Sequence, residues 1–471
     1  MIEVQKKLLR IREGDSNIAV WATMHWFLLI WNGKDTKINT DMHTKEHLEI
    51  TANIDSQSQG ASAVEARVLG INAKRLKLAH LQVGFAFSAF ILIGANDGAL
   101  GVLIPSMRLH YGVDKATIGL LFLFQTIGYL IAAFNSGLLV EKLGNRRFLV
   151  LGVASFLLGV GALSLMPSYV IVLIMMLPLG FGVAIIDAGL NTYIASMPRN
   201  AALLNYLHAF YGTGALLGPV IASAFLAMRW GWNSVYIVWI GMSLVLLIGF
   251  QLVFKDQNIS SPEDVATKPK NNVLVAALKV PFVWIAALFM LIYVGAEVSV
   301  GSWSYSFLTE EQHASILLAG WMVSGYWIGL TLGRLTLARV ALRVGSARLI
   351  QGCLVGVVIG VLLVWLLPFY AVSAVGLGLI GFSFGPIYPT TIALISNKVS
   401  SRILPSAIGF MVSLGSVGAA ICPWLAGMLA ERVGLWSLMP YVITLTFAMV
   451  CLWQALQVRP KVPRMSLQEP G

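Results

Sequence analysis

The sequence predicts an all-α integral membrane protein in which twelve transmembrane helices form two related halves of six. Composition is the first reason: 58% of the 471 residues are hydrophobic and 11% are charged, whereas soluble domains carry roughly 25% charged residues. Long apolar stretches are the second reason, because about 20 apolar residues are needed to cross a bilayer as a helix. An internal repeat is the third: Gly94-Ala95 recurs as Gly295-Ala296, and Gly180-Phe181 recurs at the same offset as Gly381-Phe382.

Hydropathy divides each half into six spans. The spans of the first half are predicted at 79–106, 115–140, 147–166, 169–196, 202–228 and 232–254. Those of the second half are predicted at 278–308, 314–340, 347–367, 370–396, 403–430 and 435–457. We therefore expect an N-terminal bundle over 76–254, a cytoplasmic linker over 255–275, a C-terminal bundle over 276–457 and a cytoplasmic tail over 458–471.

Residues 1–75 differ from the rest of the chain because they are polar and charged. Their apolar patch, 18–31, is shorter than the roughly 20 residues of a spanning helix, and no small-residue cleavage site follows it closely. We expect a disordered cytoplasmic extension. A mis-assigned start codon is the alternative, since the hydrophobic domain does not need this segment.

Lysine and arginine residues concentrate on one side of the predicted membrane domain. With twelve spans, both tails and the central linker share that side. The opposite side carries few cationic residues: Arg108, Lys115, Arg229 and Arg432. Because cytoplasmic loops carry an excess of Lys and Arg, both termini are predicted to face the cytoplasm. We expect a multi-pass protein of the cell (inner or plasma) membrane.

Composition and spacing argue against several function classes. The net charge of +11 is spread over short loops and tails, which is not typical of a nucleic-acid surface. The three cysteines lie in apolar helices without metal-ligand spacing, so no metal site is predicted. No nucleophile–base pair emerges, and we expect neither an enzyme nor a cofactor.

The loop after the second predicted span carries a motif of glycines and charged residues. Its members are Gly137, Glu141, Lys142, Gly144, Arg146 and Arg147. In spacing and position this motif resembles the signature loop of the major facilitator superfamily, which usually has Asp where this chain has Glu141. A degraded copy in the second half includes Arg334. The resemblance implies a cytoplasmic gating loop, and the alternative is a basic loop with no gating role.

Acidic residues lie inside long apolar spans of both halves. Asp97 and Asp187 lie in the first half and Glu297 in the second. A charge at mid-membrane costs at least about 2.5–3.5 kcal/mol, and a carboxyl group lowers this cost by staying protonated. Since binding or losing a proton changes the energy of one conformation relative to another, we predict proton coupling by these groups. The alternative for each is a pairing that only holds helices together.

Polar residues inside the spans resemble the fucose permease-like branch of the superfamily over residues 79–457. The similarity is carried by Asn96-Asp97, Asp187 with Asn191, His208 with Tyr211, and Gly385-Pro386. In that branch an Asp of the first span and a Glu of the fourth serve substrate binding and proton coupling, which implies these roles for Asp97 and Asp187. The branch's Gln and Asn of the fifth span fall here on His208 and Tyr211, which changes the size and titration of the binding groups.

The candidate substrate-binding residues are Asn96, Asn191, His208, Tyr211, Trp303 and Gln125. Aromatic residues such as Trp327 and Tyr388 either stack on a sugar ring or simply pack.

These patterns predict a secondary active transporter and leave three interpretations open. The first is symport of a sugar or similar small polar solute with protons, or with sodium, by alternating access in a monomer embedded in the lipid bilayer. The second is a proton-driven drug or metabolite exporter, because Gly214 to Pro219 partly match the fifth-span motif of drug antiporters. The third is a non-transporting sensor on a carrier fold, for which the N-terminal extension is the only hint.

Overall fold

The structure, a computed structural model, describes residues 55–197, 200–254, 272–367, 369–396, 398–400 and 403–457. Contacts divide the chain into two units, 1–71 and 72–471, and every site discussed below lies in the second. Residues 1–54 of the predicted extension, the linker residues 255–271 and the tail 458–471 lie outside the described residues. The rest of the extension, 55–75, is helical and belongs to the first helix.

The described residues form helices and no β-strand. The first half contains α1 (Asp55–Tyr111), α2 (Lys115–Ile118), α3 (Leu120–Ser164), α4 (Tyr169–Ala195), α5 (Asn200–Ala227) and α6 (Ser234–Val253). The second contains α7 (Asn272–Leu278), α8 (Pro281–Ser306), α9 (Ile316–Val344), α10 (Ser346–Leu366), α11 (Tyr370–Phe384), α12 (Ile387–Ser396), α13 (Leu404–Arg432) and α14 (Leu438–Gln457). A π-helical turn, Phe307–Glu311, extends α8.

Eleven helical segments of the described chain are long and apolar enough to cross a membrane. One of them, Lys115–Ser164, has 50 residues, far more than the about 20 needed for a single crossing. It is broken at Gly144, whose φ of 74° and ψ of 161° lie in a region that only glycine readily occupies. This segment therefore crosses twice, and the prediction of twelve transmembrane helices in two halves is confirmed.

An even number of crossings brings both ends of the membrane domain to the same side. We call the side that carries Leu78 and Gln457 the terminal end, and the side that carries the α1–α2 turn the distal end. The break at Gly144 lies at the terminal end. The equivalent break of the second half is Gly345, with φ of 85° and ψ of 148°, between α9 and α10.

Helices within each half pack through glycines at equivalent positions. A Cβ atom at Gly180 of α4 would collide with the carbonyl oxygen of Gln125 on α3. A Cβ atom at Gly381 of α11 would collide in the same way with the carbonyl oxygen of Tyr326 on α9. Close backbone approach supplies van der Waals contact where lipid provides little hydrophobic force between helices. The repeat in the sequence is therefore also a repeat of helix contacts.

The predicted span 370–396 is divided into α11 and α12 at Gly385-Pro386. Proline has no N–H to donate to the preceding turn, which explains why the helix is interrupted there. Tyr388, at the start of α12 just after the break, lines the cavity described below.

Candidate functional site

A cavity of about 300 Å³ lies between the two halves at the level of Asp97. Helices α1, α3, α4 and α5 line it from the first half, and α8, α9, α12 and α13 line it from the second. The first half supplies most of its polar lining: Asp97, Gln125, Thr126, Tyr129 and Tyr211. The volume lies at the lower end of the range of about 300–1,000 Å³ that is typical of small-molecule sites.

The carboxylate of Asp97 accepts hydrogen bonds from three neutral donors. Tyr211 donates its hydroxyl to Oδ2 at 3.0 Å, and Gln125 donates Nε2 to Oδ1 at 3.5 Å. Asn96 donates Nδ2 to Oδ1 at 3.4 Å. Because the donors come from α1, α3 and α5, the carboxylate is tied to several helices of the first half. It also faces the cavity, where it can accept a bond from a solute hydroxyl or exchange a proton.

Asp187 lies one layer behind the cavity wall. The hydroxyl of Tyr129, a lining residue, donates to its Oδ2 at 3.3 Å, and Asn191 donates Nδ2 to its Oδ1 at 2.8 Å. Gln125 and Tyr129 are four residues apart on α3, so one face of this helix contacts both carboxylates. The rings of Tyr111 and Tyr169 lie 5.6 Å apart at the distal end. Counted from these two residues at about 1.5 Å per residue, Asp187 lies about 6 Å closer to the terminal end than Asp97.

Glu297 forms an ion pair within the second half. Its Oε1 lies 3.2 Å from Nη2 of Arg334, and the hydroxyl of Tyr326 donates to its backbone oxygen at 2.8 Å. The degraded copy of the loop motif predicts that Arg334 belongs to a gating loop at the cytoplasmic surface. It lies instead inside α9, because this helix continues to Val344 and its guanidinium reaches back to α8. The pair leaves this part of the second half without net charge.

Two of the predicted substrate-binding residues lie away from the cavity wall. Trp303 is fully buried and donates Nε1 to the carbonyl oxygen of Pro423 at 2.8 Å, so it packs α8 against α13. His208 is exposed one turn from Tyr211 toward the terminal end, with its ring 5.7 Å from the ring of Phe90. Asn96, Asn191, Gln125 and Tyr211 all bond to the two aspartates, as described above.

Sequence reasoning missed several cavity residues. Tyr129, Thr126 and Ser302 line the cavity but were not among the candidates. Tyr129 could have been found, because it follows Gln125 by one helical turn and therefore shares its face. The aromatic candidates Trp327 and Tyr388 do line the cavity.

The loop motif lies at the terminal end, around the break at Gly144. Gly137, Glu141 and Lys142 are exposed at the end of the first crossing of α3. Arg147 is exposed and Arg146 half-buried beyond the break. Asn145, between them and the glycine, is buried with its Oδ1 unpaired among the described residues. A gating role of this loop stays a prediction.

Ionic contacts close the distal end between the halves. Glu310 of the π-helical turn lies 3.1 Å from Nη1 of Arg108 and 3.3 Å from Nζ of Lys115. The backbone N–H of Lys115 donates to Oε2 of Glu431 at 2.9 Å. At the same end, the carboxylate of Asp114 caps α2 by accepting a hydrogen bond from the backbone N–H of Thr117 at 2.6 Å. This hydrogen bonding stabilises the ionised carboxylate, so the pKa of Asp114 lies below its usual value. Because the contacts of Glu310 and Glu431 join the two halves at the distal end, the structure represents the conformation in which that end is shut.

The sequence of the chain matches a known protein family over most of its length. The sequence profile of the Major Facilitator Superfamily matches residues 86–307 and 286–470. The chain belongs to the major facilitator superfamily. It is therefore a multi-pass integral membrane protein from a family of transporters, as the sequence predicted.

Known relatives cover most of this chain. Bypass of stop codon protein 6 of Saccharomyces cerevisiae is 25% identical over 417 residues, covering 81% of this chain and 83% of that protein. The glucose/mannose transporter GlcP of Bacillus subtilis is 22% identical over 402 residues, covering 82% and 96%. The crystal structure of a variant of the fucose:proton symporter FucP of Escherichia coli has a TM-score of 0.55 at 15% identity, covering 80% and 98%. The structural likeness shows the shared fold.

Proposed function

We propose that this protein is a proton-coupled symporter that carries a sugar or a similar small polar solute across the membrane by alternating access. The observation that carries this proposal is Asp97, a carboxylate held by three neutral donors on the wall of a cavity between two helical halves. The same group can bind a solute hydroxyl and take up a proton. Proton and solute would then meet at one place, which is what coupling requires.

The coupling follows from the energetics of a carboxylate in a membrane protein. With the cavity open to water, ionised Asp97 is solvated; when the halves close around it, the charge is expensive unless a proton neutralises it. A bound solute supplies hydrogen bonds that replace lost water. The form loaded with both proton and solute is therefore the one that reorients most readily. Asp187, nearer the terminal end and joined through Tyr129, is proposed to pass the proton to that side.

The charge balance of the cavity supports a neutral solute. Among the residues that the structure describes, Asp97 is the one acidic residue that lines the cavity, and no Lys, Arg or His lines it. Arg334, in the second half, is paired with Glu297. An anionic solute would face Asp97 without a counter-charge. We infer that Glu297 acts through this pair rather than as a proton carrier of its own.

Two relatives support a sugar as substrate. GlcP is named as a glucose/mannose transporter and FucP as a fucose:proton symporter. The resemblance of the polar spans to the fucose permease-like branch agrees with them. Sodium in place of the proton remains an alternative for the coupling ion.

An exporter of organic cations is the second candidate function. A single lining carboxylate with aromatic rings nearby, those of Trp327 and Tyr388, is also a site at which a lipophilic cation can bind. Binding of lipophilic cations with no response to sugars would favour this candidate.

We also propose the arrangement in the cell. The Lys and Arg bias supports cytoplasmic termini in the cell membrane, with bundles over 76–254 and 276–457, the loop around Gly144 as a cytoplasmic gate, and a monomer as the working unit. The terminal end would then be cytoplasmic, and the conformation described would be shut to the outside.

Purified protein in liposomes that contain a pH-sensitive dye tests the proposal. Addition of a transported sugar to one side should drive protons into the vesicles and change the internal pH. Asp97→Asn should abolish the pH change, because an amide cannot take up the proton, while Glu311→Gln at the exposed distal end serves as a control for the loss of an acidic charge. Sugar uptake with no proton movement in wild type would overturn proton coupling, and no response to any sugar would overturn the substrate class.

A further inference from the structure

The second half presents a mainly apolar wall to the cavity. Val294 and Val298 are four residues apart on α8, so their side chains lie on one face of that helix. Val412, Gly415 and Ala419 repeat at helical spacing on α13 and face the same space. We call these five residues the apolar strip.

The wall opposite the strip carries most of the polar lining, beside the apolar Leu100, Phe122 and Val183. Asp97, Gln125, Thr126, Tyr129 and Tyr211 all belong to the first half. Ser416, which neighbours the strip, donates its hydroxyl to the carbonyl oxygen of Val412 at 3.1 Å and so satisfies its hydrogen within its own helix. A solute in this cavity therefore meets most of the hydrogen-bonding groups on one side and the methyl groups of the strip on the other, where the second half also contributes Ser302 and Tyr388.

Gly415 leaves space in the strip because it has no side chain. A Cβ atom there would lie 3.2 Å from Cγ2 of Val294 and 3.9 Å from its Cβ. An added methyl group would thus occupy the space against Val294 and force its side chain to give way.

We propose that the apolar strip selects solutes with one polar edge and one apolar face or substituent, and disfavours solutes that carry hydroxyls all round. This inference rests on the proposed function and deepens it, since it defines which small polar solutes fit. A hydroxyl turned toward the strip loses its water and gains no hydrogen-bond partner from the side chains of its five residues, which is costly. An apolar group in the same place loses no hydrogen bond to water and gains free energy by burying its surface. The orientation follows too: the polar edge points to Asp97.

The expected selectivity is moderate. Methyl β-D-glucoside differs from D-glucose by one methyl group, and one added carbon in a hydrophobic pocket is worth about 10- to 200-fold. We therefore expect an alkyl pyranoside such as methyl β-D-glucoside to bind about 10- to 100-fold more tightly than D-glucose, with the alkyl group on the strip.

Equilibrium binding to purified wild-type and variant proteins tests the strip without any need for proton movement. Val298→Thr keeps the shape of the side chain and adds a hydroxyl. It should lower the preference for methyl β-D-glucoside over D-glucose about tenfold. Val375→Thr makes the same change at an exposed position of α11, where the residue is 65% accessible, and should leave the preference as in wild type.

A second variant tests the same proposal independently if Val298→Thr folds poorly. Gly415→Ala fills the strip by one methyl group and should weaken binding of the alkyl glucoside more than binding of D-glucose. If both sugars bind and neither variant changes their ratio, the strip does not select the solute. If no pyranose binds to wild type, the proposed substrate class is wrong and this inference falls with it.

Discussion

Glu310 offers a direct way to shift the protein between its conformations. It is the shared acidic partner of Arg108 and Lys115, and these pairs join the second half to the first at the distal end. Glu310→Gln keeps the size of the side chain and removes its charge. Because the pairs exist only while the distal end is shut, the change should favour the conformation in which it is open.

The size of this effect can be worked from the exposure of the three groups. The side chains of Arg108, Lys115 and Glu310 are 22%, 15% and 33% accessible, so water and salt screen the pairs in part. Partly exposed pairs contribute about 0.2–1 kcal/mol each. If the two together contribute about 1 kcal/mol, their loss changes the ratio of open to shut about fivefold, since 1.36 kcal/mol corresponds to a factor of ten.

Labelling of a single cysteine measures this ratio. Thr126→Cys places a thiol on the cavity wall, in a chain whose native cysteines, Cys353, Cys422 and Cys451, are replaced by alanine. A membrane-impermeant maleimide added from the distal side should react about fivefold faster when Glu310→Gln is also present. High salt should raise the rate in the parent and have little effect in the variant.

Glu311 provides the matched control for this experiment. It is the next residue, carries the same charge and forms no ion pair with any residue that the structure describes. Glu311→Gln should leave the labelling rate unchanged. Equal rates in the parent and in Glu310→Gln, or equal acceleration by both variants, would refute the reasoning.

Three further outcomes are expected. Glu297→Gln should lower the midpoint of thermal unfolding, because it leaves the guanidinium of Arg334 unpaired. The loss in free energy of unfolding should be smaller than the roughly 3–5 kcal/mol of a fully buried pair, since 33% of the Arg334 side chain is accessible. The double variant Glu297→Gln, Arg334→Gln should recover part of this loss, and an equally unstable double variant would argue against the pair. Gly180→Ala should cost about 1–3 kcal/mol of stability by overpacking α3 against α4, whereas Gly161→Ala, which has open space around it, should not; equal midpoints would contradict the packing argument. Asp187→Asn should slow proton release toward the terminal end while binding of sugar at equilibrium stays within about tenfold of wild type, measured by dye response and calorimetry; unchanged proton movement would remove its relay role.

The helices and the repeat could be predicted because both depend on local properties of the chain. Hydropathy over about 20 residues identifies a spanning helix wherever its neighbours lie. The repeat of Gly180 and Gly381 can be seen in the sequence alone. The structure explains it, because each glycine lies so close to the backbone of a neighbouring helix that no side chain would fit. The acidic residues stood out because a charge in an apolar span is costly.

The details of the site could not be predicted in the same way. Its position in an apolar span near Glu297 makes Trp303 a candidate for contact with the solute, yet its indole donates to the carbonyl oxygen of Pro423 on α13. Arg334 lies in a run of residues that reads as a basic loop, but α9 extends beyond it and brings it to Glu297. Both outcomes depend on which helix lies next to which, and spacing along one helix contains no such information.

Gly144 and Gly345 share a backbone conformation that disfavours every L-amino acid with a side chain. Stereochemistry therefore restricts substitution at these two points whatever the solute, the ion or the lipid. Each marks the reversal between the second and third crossings of its half, so the twofold relation of the halves is written into the backbone at these points and does not depend on the side chains around them.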